Sequence, residues 1–216
     1  MFNHIPISLP ILETAHEEDK HFYCINGEKY PSITSILHSF PNEGIEIWKR
    51  KTPNWREIQQ ESFSVGAALH SKIESYLKNK DHDRDIELLP LKLYYNLKPE
   101  LDKINNIRCQ ETYLYEHNLK VAGAVDCIAE YDGVLSVIDF KNSRKPKRES
   151  WIKDYKLQVT FYALAFKFCT GIEINQGVIL IANWDGSTST FKVNIPDYED
   201  QLLDVLEQYE MLSMSK

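Results

Sequence analysis

The feature that most restricts the fold of this chain is a pair of β-rich segments, VAGAVDCIAEY and VLSVIDFK, separated only by Asp132-Gly133. A two-residue hairpin turn needs positive φ at both central positions, which Asp tolerates and Gly adopts freely, so the dipeptide specifies a tight β-hairpin. In that register Tyr131 faces Val134, and stepping outward pair by pair sets Asp126 opposite Asp139. Residues two apart on a strand share a face, so Lys141 joins the two acids while Phe140 points into the other layer. Opposed strand residues hold their Cβ atoms about 4.5 to 5.5 Å apart. Two carboxylates there repel by roughly 3 kcal/mol at an effective dielectric of about 20. A protonated carboxyl, the Lys141 ammonium or a divalent cation would each offset that repulsion, and hard oxygen ligands suit Mg²⁺ or Mn²⁺. The commonplace alternative is a solvated Asp126 and a strand-end ion pair between Asp139 and Lys141.

The remaining pattern surrounds this hairpin with helices and further strands. Asn26-Gly27 between HFYCI and EKYPS predicts a second hairpin. Ser32 or Thr34 caps a short helix that carries Ile33, Ile36, Leu37 and Phe40. Val65, Leu69, Ile73 and Leu77 form the stripe of an amphipathic helix over 61–79, which ends in the solvated loop KNKDHDRD. A helical stretch around 88–105 is interrupted by Pro90 and Pro99. Residues 155–169 read as a helix with Leu157, Phe161, Leu164 and Phe168 inward, closed by Gly171. QGVILIANW reads as a buried strand, Asp185-Gly186 as a turn, STSTFKVNI as its partner, and 197–212 as a terminal helix. The expected fold is α/β, a mixed central sheet flanked by helices, in one domain over 1–216, with 1–60 an N-terminal hairpin and binding segment and 61–216 the core.

Charge placement says more than net charge. The chain carries 25 Lys and Arg against 32 Asp and Glu, a formal −7, which by itself argues against a polyanionic partner. Yet residues 141–156 hold seven basic residues against Glu149 and Asp154, net +5, leaving −12 for the rest. Trp48, Lys49, Arg50, Lys51, Trp55 and Arg56 interleave rings with positive charge, as single-strand binding surfaces do. The plainer reading is a core tryptophan with lysines extended over it. Four scattered cysteines without a CxxC pair indicate neither a zinc ribbon nor a disulfide framework and suit a reducing cytoplasm. The N-terminal residues read as neither a secretory signal nor an Arg-rich transit peptide. No apolar run approaches the roughly 18 residues of a membrane span.

The motifs VAGAVDCIAEYDGVLSVIDFKNSRKPK, GAALHSKIES, YPSITSIL and GVILIANWDG, with Gln158 and Tyr162 on the following helix, together resemble the PD-(D/E)xK nuclease superfamily. The resemblance is to its RecB-like branch, near the mitochondrial genome maintenance exonucleases and their bacterial and phage relatives. It spans nearly everything after the first twenty or so residues. It implies a restriction-endonuclease-like core and a metal-dependent deoxyribonuclease.

Carried over by position, the resemblance implies that Asp126, Asp139 and the Phe140 carbonyl bind Mg²⁺ or Mn²⁺, with His70 as a further ligand. Lys141 would be the catalytic lysine, with Gln158 and Tyr162 beside it. By helical spacing alone His70 is a boundary residue next to the apolar stripe, and Gln158 and Tyr162 are a polar flank. Glu111 matches a family glutamate at the start of the preceding strand, and otherwise reads as a surface charge. Ser32 and Thr34, which cap a helix in the simpler reading, would also contact DNA phosphate, as would Trp48 and Lys49 and the segment with Ser143, Lys145 and Lys147. The cysteine spacing lacks the cluster-binding pattern of some relatives, so no iron–sulfur cluster is expected. Without a G-x-x-x-x-G-K-[ST] loop, no ATP site is expected.

The expected activity is hydrolysis at single-stranded DNA ends. Flap or junction endonuclease action and a non-catalytic nucleic-acid-binding module are the alternatives. Replication or recombination proteins are the expected partners, and a bacterial or phage-infected cytoplasm the expected setting.

Overall fold

A computed structural model describes residues 1–11, 13–17, 20–80 and 86–214. A three-stranded antiparallel sheet opens the chain: β1 (Glu13–Glu17), β2 (Lys20–Ile25) and β3 (Glu28–Pro31). Asn26 and Gly27 form its second turn at φ 52° and 83°, as the dipeptide predicts. Helices α1 (Ile33–His38), α2 (Glu43–Lys51), α3 (Trp55–Leu77) and α4 (Leu88–Leu101) follow. The main sheet then builds from β4 (Ile104–Glu116), β5 (Val121–Tyr131) and β6 (Val134–Ser143). After α5 (Lys153–Thr170) it is completed by β7 (Gln176–Asn183) and β8 (Thr188–Asn194), and α6 (Glu199–Met214) ends the described chain.

The five strands lie in sequence order β4-β5-β6-β7-β8. Every neighbouring pair is antiparallel except β6 and β7, which run parallel because α5 carries the chain back across one face. That mixed sheet between helical layers is the fold the periodicity predicts. On one face Val137, Ile179 and Ile181 pack with Phe161 and Phe166 of α5, Ile33 of α1 and Leu202 of α6. On the other, Ile138, Phe140, Val178 and Leu180 pack with Leu69 and Ile73 of α3 and Leu93 and Leu97 of α4. Gly177 lets α5 approach closely, since a Cβ there would stand 2.7 Å from Val159 Cγ2.

Four expectations need correction. Helix α3 begins at Trp55, six residues before the predicted start, because its first turns are polar and carry no apolar stripe. The 88–105 stretch is one helix ending at Leu101: Pro90 falls in the first turn, where backbone N–H groups lack intrahelical acceptors, and Pro99 in the last. Phe168 does not point inward but is 43% exposed, its ring edge-on to Tyr115 at 5.5 Å, because the last turn of α5 lies over edge strand β4. Glu111 lies inside β4 rather than at its start. Residues 81–85 of the predicted KNKDHDRD loop lie outside the described residues. Among the described residues no helix is long and apolar enough to cross a membrane.

Candidate active site

The β5–β6 ladder runs from Tyr131 opposite Val134 to Cys127 opposite Ile138, the register the Asp132-Gly133 turn predicts. The ladder ends one pair short of the two acids, which turn to different donors. Asp126 turns its Oδ2 onto the backbone N–H of Phe140 at 2.8 Å, and Asp139 turns its Oδ1 to the Lys141 ammonium at 2.6 Å. A backbone donor and a lysine thus answer the expected repulsion. Asp139 is 1% exposed, and its Oδ2 is buried without a hydrogen-bond partner among the described residues. Burial, set against the pull of Lys141 and reinforced by Asp126, raises the Asp139 carboxyl to about 6. Burial works against the Lys141 charge, but Asp139 and then Asp126 outweigh it and hold the ammonium above its ordinary value.

His70 arrives from α3. Its Nε2 donates to the Phe140 carbonyl at 2.8 Å, and its Nδ1 lies 3.8 Å from both Glu111 Oε1 and Asp126 Oδ2. Burial opposes the imidazolium, but Asp126 first and Glu111 next raise its pKa to about 9. Glu111 joins through an unusual backbone. Between the pairs Gln110–Cys127 and Thr112–Val125, it takes φ 46° in the left-handed region. One ligand atom each from His70, Glu111 and Asp126 lies within 4.8 Å of the others. Two carboxylates and an imidazole, beside a buried carboxylate oxygen without a donor, make a donor set that fits Mg²⁺ or Mn²⁺.

Other sequence-predicted residues take places of differing kinds. Gln158 and Tyr162 are buried under the sheet rather than forming a polar flank, with Gln158 Nε2 donating to the Tyr162 hydroxyl at 3.5 Å. Gly123 makes this possible, because a Cβ there would stand 2.9 Å from Tyr162 Cε1. Burial, then Asp126 and Asp139, push the Tyr162 hydroxyl well above its usual range. Ser32 caps α1 by accepting from Ser35 N–H at 3.2 Å, and its hydroxyl meets that of Thr34 at 2.6 Å. Helix α2 buries no residue and leaves Trp48 40% exposed. Lys49 pairs with Glu46 at 2.8 Å and lies 5.2 Å from the Trp55 ring, which Arg56 also faces. Ser143 donates to the Lys145 carbonyl at 2.7 Å.

Two members of the basic segment are otherwise engaged. Lys156 is buried on Glu149 and the Tyr198 hydroxyl, and Arg144 pairs with Glu61. Sequence reasoning missed Tyr155, whose ring lies 5.3 Å from the Lys141 ammonium and 5.9 Å from that of Lys147. Its position one helical turn before Gln158 was the available signal.

A mixed sheet flanked by helices, with two strand carboxylates, a lysine two residues on and a helix histidine at one end, defines a nuclease of restriction-endonuclease-like architecture. The chain belongs to the PD-(D/E)XK nuclease superfamily, whose family model matches residues 37–207. It is 30% identical over 174 residues to mitochondrial genome maintenance exonuclease 1 of Homo sapiens, an alignment covering 73% of this chain and 50% of that protein. The Xenopus tropicalis protein of the same name is 31% identical over 173 residues, covering 73% and 49%. The chain therefore spans about half the length of the curated relatives it matches. Among solved structures, a putative exonuclease from Eubacterium rectale matches with a TM-score of 0.45 and 14% identity, over 69% of this chain and 64% of that one.

Proposed function

We propose that the protein is a metal-dependent deoxyribonuclease that hydrolyses phosphodiester bonds at single-stranded DNA ends. The observation that carries this reading is the convergence of His70, Glu111 and Asp126 beside the Asp139–Lys141 pair. His70, Glu111 and Asp126 would hold the cation, with Asp139 and the Phe140 carbonyl adjacent. A divalent cation there supplies Lewis-acid polarisation of the phosphate. The Lys141 ammonium, held by Asp139 and one-fifth exposed, orients the attacking water and balances charge developing on the phosphoryl oxygens. Tyr162 and Gln158 brace the sheet beneath the two acids. Trp48 and Lys49 on exposed α2, Ser32 and Thr34 at the start of α1, and Ser143, Lys145 and Lys147 after β6 are the residues we assign to the DNA strand. Trp48 would offer a stacking surface and the lysines phosphate contacts.

The test is cleavage of end-labelled single- and double-stranded DNA with Mn²⁺ or Mg²⁺, beside Asp139→Ala and Lys141→Ala. Chelation should abolish cleavage, and each variant should lose at least about a hundredfold in rate, the scale of a lost acid–base or charge-stabilising group. Cleavage without metal, or full activity in either variant, would sink the assignment. A circular single strand should survive intact. Its linearisation would instead make the enzyme an endonuclease.

A further inference from the structure

Beyond Lys141, strand β6 continues to Asn142, which faces α3 as Phe140 does two residues earlier. Both ends of its amide are held. Nδ2 donates to the Ser62 carbonyl at 3.2 Å, and Oδ1 accepts from the Trp184 indole N–H at 3.1 Å. A carbonyl only accepts and an indole N–H only donates, so these partners permit one orientation of the amide. Against the amide lies Gly66, one helical turn before His70 and on the same face of α3. A Cβ on Gly66 would stand 2.7 Å from Asn142 Nδ2, too close for real atoms. A glycine inside a helix is about 1 kcal/mol less favourable than alanine, and the space claimed by the amide is the reason for it here. Trp184 is itself fixed. Its backbone N–H donates to the Ser143 carbonyl at 2.9 Å, and the Arg144 guanidinium lies 4.0 Å over its ring while pairing with Glu61 of α3.

We propose that Asn142 is a positioning residue: seated in the notch left by Gly66, its amide sets the separation of α3 from β6 and so holds His70 Nε2 on the Phe140 carbonyl. The geometry stands alone, and its consequence for metal binding rests on the function proposed above. The test compares the wild-type chain with Gly66→Ala, Asn142→Ala and the double variant. Three quantities are read: Mn²⁺ affinity by calorimetry without DNA, the exchange-protected His70 Nε2–H signal in metal-free protein, and Tm.

If Gly66 mattered only for helix propensity, Gly66→Ala would raise Tm and leave the other two unchanged. The expected result is instead about tenfold weaker Mn²⁺ binding, the scale of a lost supporting contact at a metal site, together with loss of the protected signal. Asn142→Ala alone should likewise weaken Mn²⁺ binding and lose the signal, because the notch is left empty, whereas the double variant should regain the signal and bind at least several-fold more tightly than either single variant, because the methyl added at 66 takes up part of the space the amide leaves. Unchanged behaviour of Gly66→Ala, or a double variant no better than it, would overturn the proposal. If wild-type protein binds no Mn²⁺, the metal reading fails, and the His70 signal in the four proteins decides the positioning role. If Gly66→Ala does not fold, recovery of folding in the double variant supports the proposal and its absence refutes it.

Discussion

At Glu111 the left-handed backbone places a β-carbon against the neighbouring carbonyl, a strain of about 1 kcal/mol for a residue other than glycine. What sustains it is the carboxylate it delivers to His70 and Asp126. Glu111→Gly should therefore raise stability by about 1 kcal/mol in denaturant unfolding above about pH 9, where His70 is neutral and no longer attracts the carboxylate, while lowering the cleavage rate at least about a hundredfold. Full cleavage activity in this variant would show that the strain serves no chemistry. His70 permits a separate check in the metal-free protein. Burial opposes its charge, but Asp126 and Glu111 raise its pKa to about 9, so imidazolium stabilises the fold fully below the ordinary value near 6.5. That contribution fades as pH rises through 9. Titration by NMR should find this value, and Asp126→Asn should move it down toward 6.5. Asp126, Asp139, Phe140 and Lys141 were legible because one turn dipeptide and strand alternation place them, and both are local. Glu111 was legible only as a match to relatives, since its contact depends on an opposing strand and a positive φ that its neighbours do not signal.

At the scale of elements, glycines in one element answer bulky groups in another. Gly123 of β5 receives Tyr162 of α5, and a Cβ there would lie 2.9 and 3.0 Å from its ring and hydroxyl. Gly123→Ala should destabilise the protein by about 1–3 kcal/mol, as overpacking of a tight core does, and a Tm at or above wild type would contradict the packing described. The same dependence explains why Gln158 and Tyr162 looked like a polar flank: helical spacing shows which residues share a face, not what that face meets. The end of α4 carries an acid-labile contact of its own. Burial would raise Asp102 and Glu100, but Tyr76 and Lys98 lower Asp102, and Tyr131 and Lys103 lower Glu100. Their stabilisation is present above the ordinary carboxylate values and is lost as pH falls through the lowered ones. Replacing Asp102 by Asn should therefore lower Tm at neutral pH, where that stabilisation is present, and flatten its fall below about pH 4.

Over the whole molecule, the acidic total and the basic segment after β6 act in different places. With Lys156 buried on Glu149 and Arg144 engaged by Glu61, fewer cations face outward than the seven counted in sequence. Binding of a single strand to an inactive Asp139→Ala protein should thus weaken with salt, with a slope set by only a few phosphate contacts, and a steep slope would point to a wider basic surface. The parallel pairing of β6 with β7 has a kinetic consequence. The β5–β6 hairpin closes through two residues, whereas β7 reaches its partner only after the chain passes through all of α5. Local contacts form before distant ones, because closing a longer loop costs more chain entropy. The strand bearing Asp139 and Lys141 is thus expected to form first as the open edge of a hairpin, with capture of that edge by β7 following it.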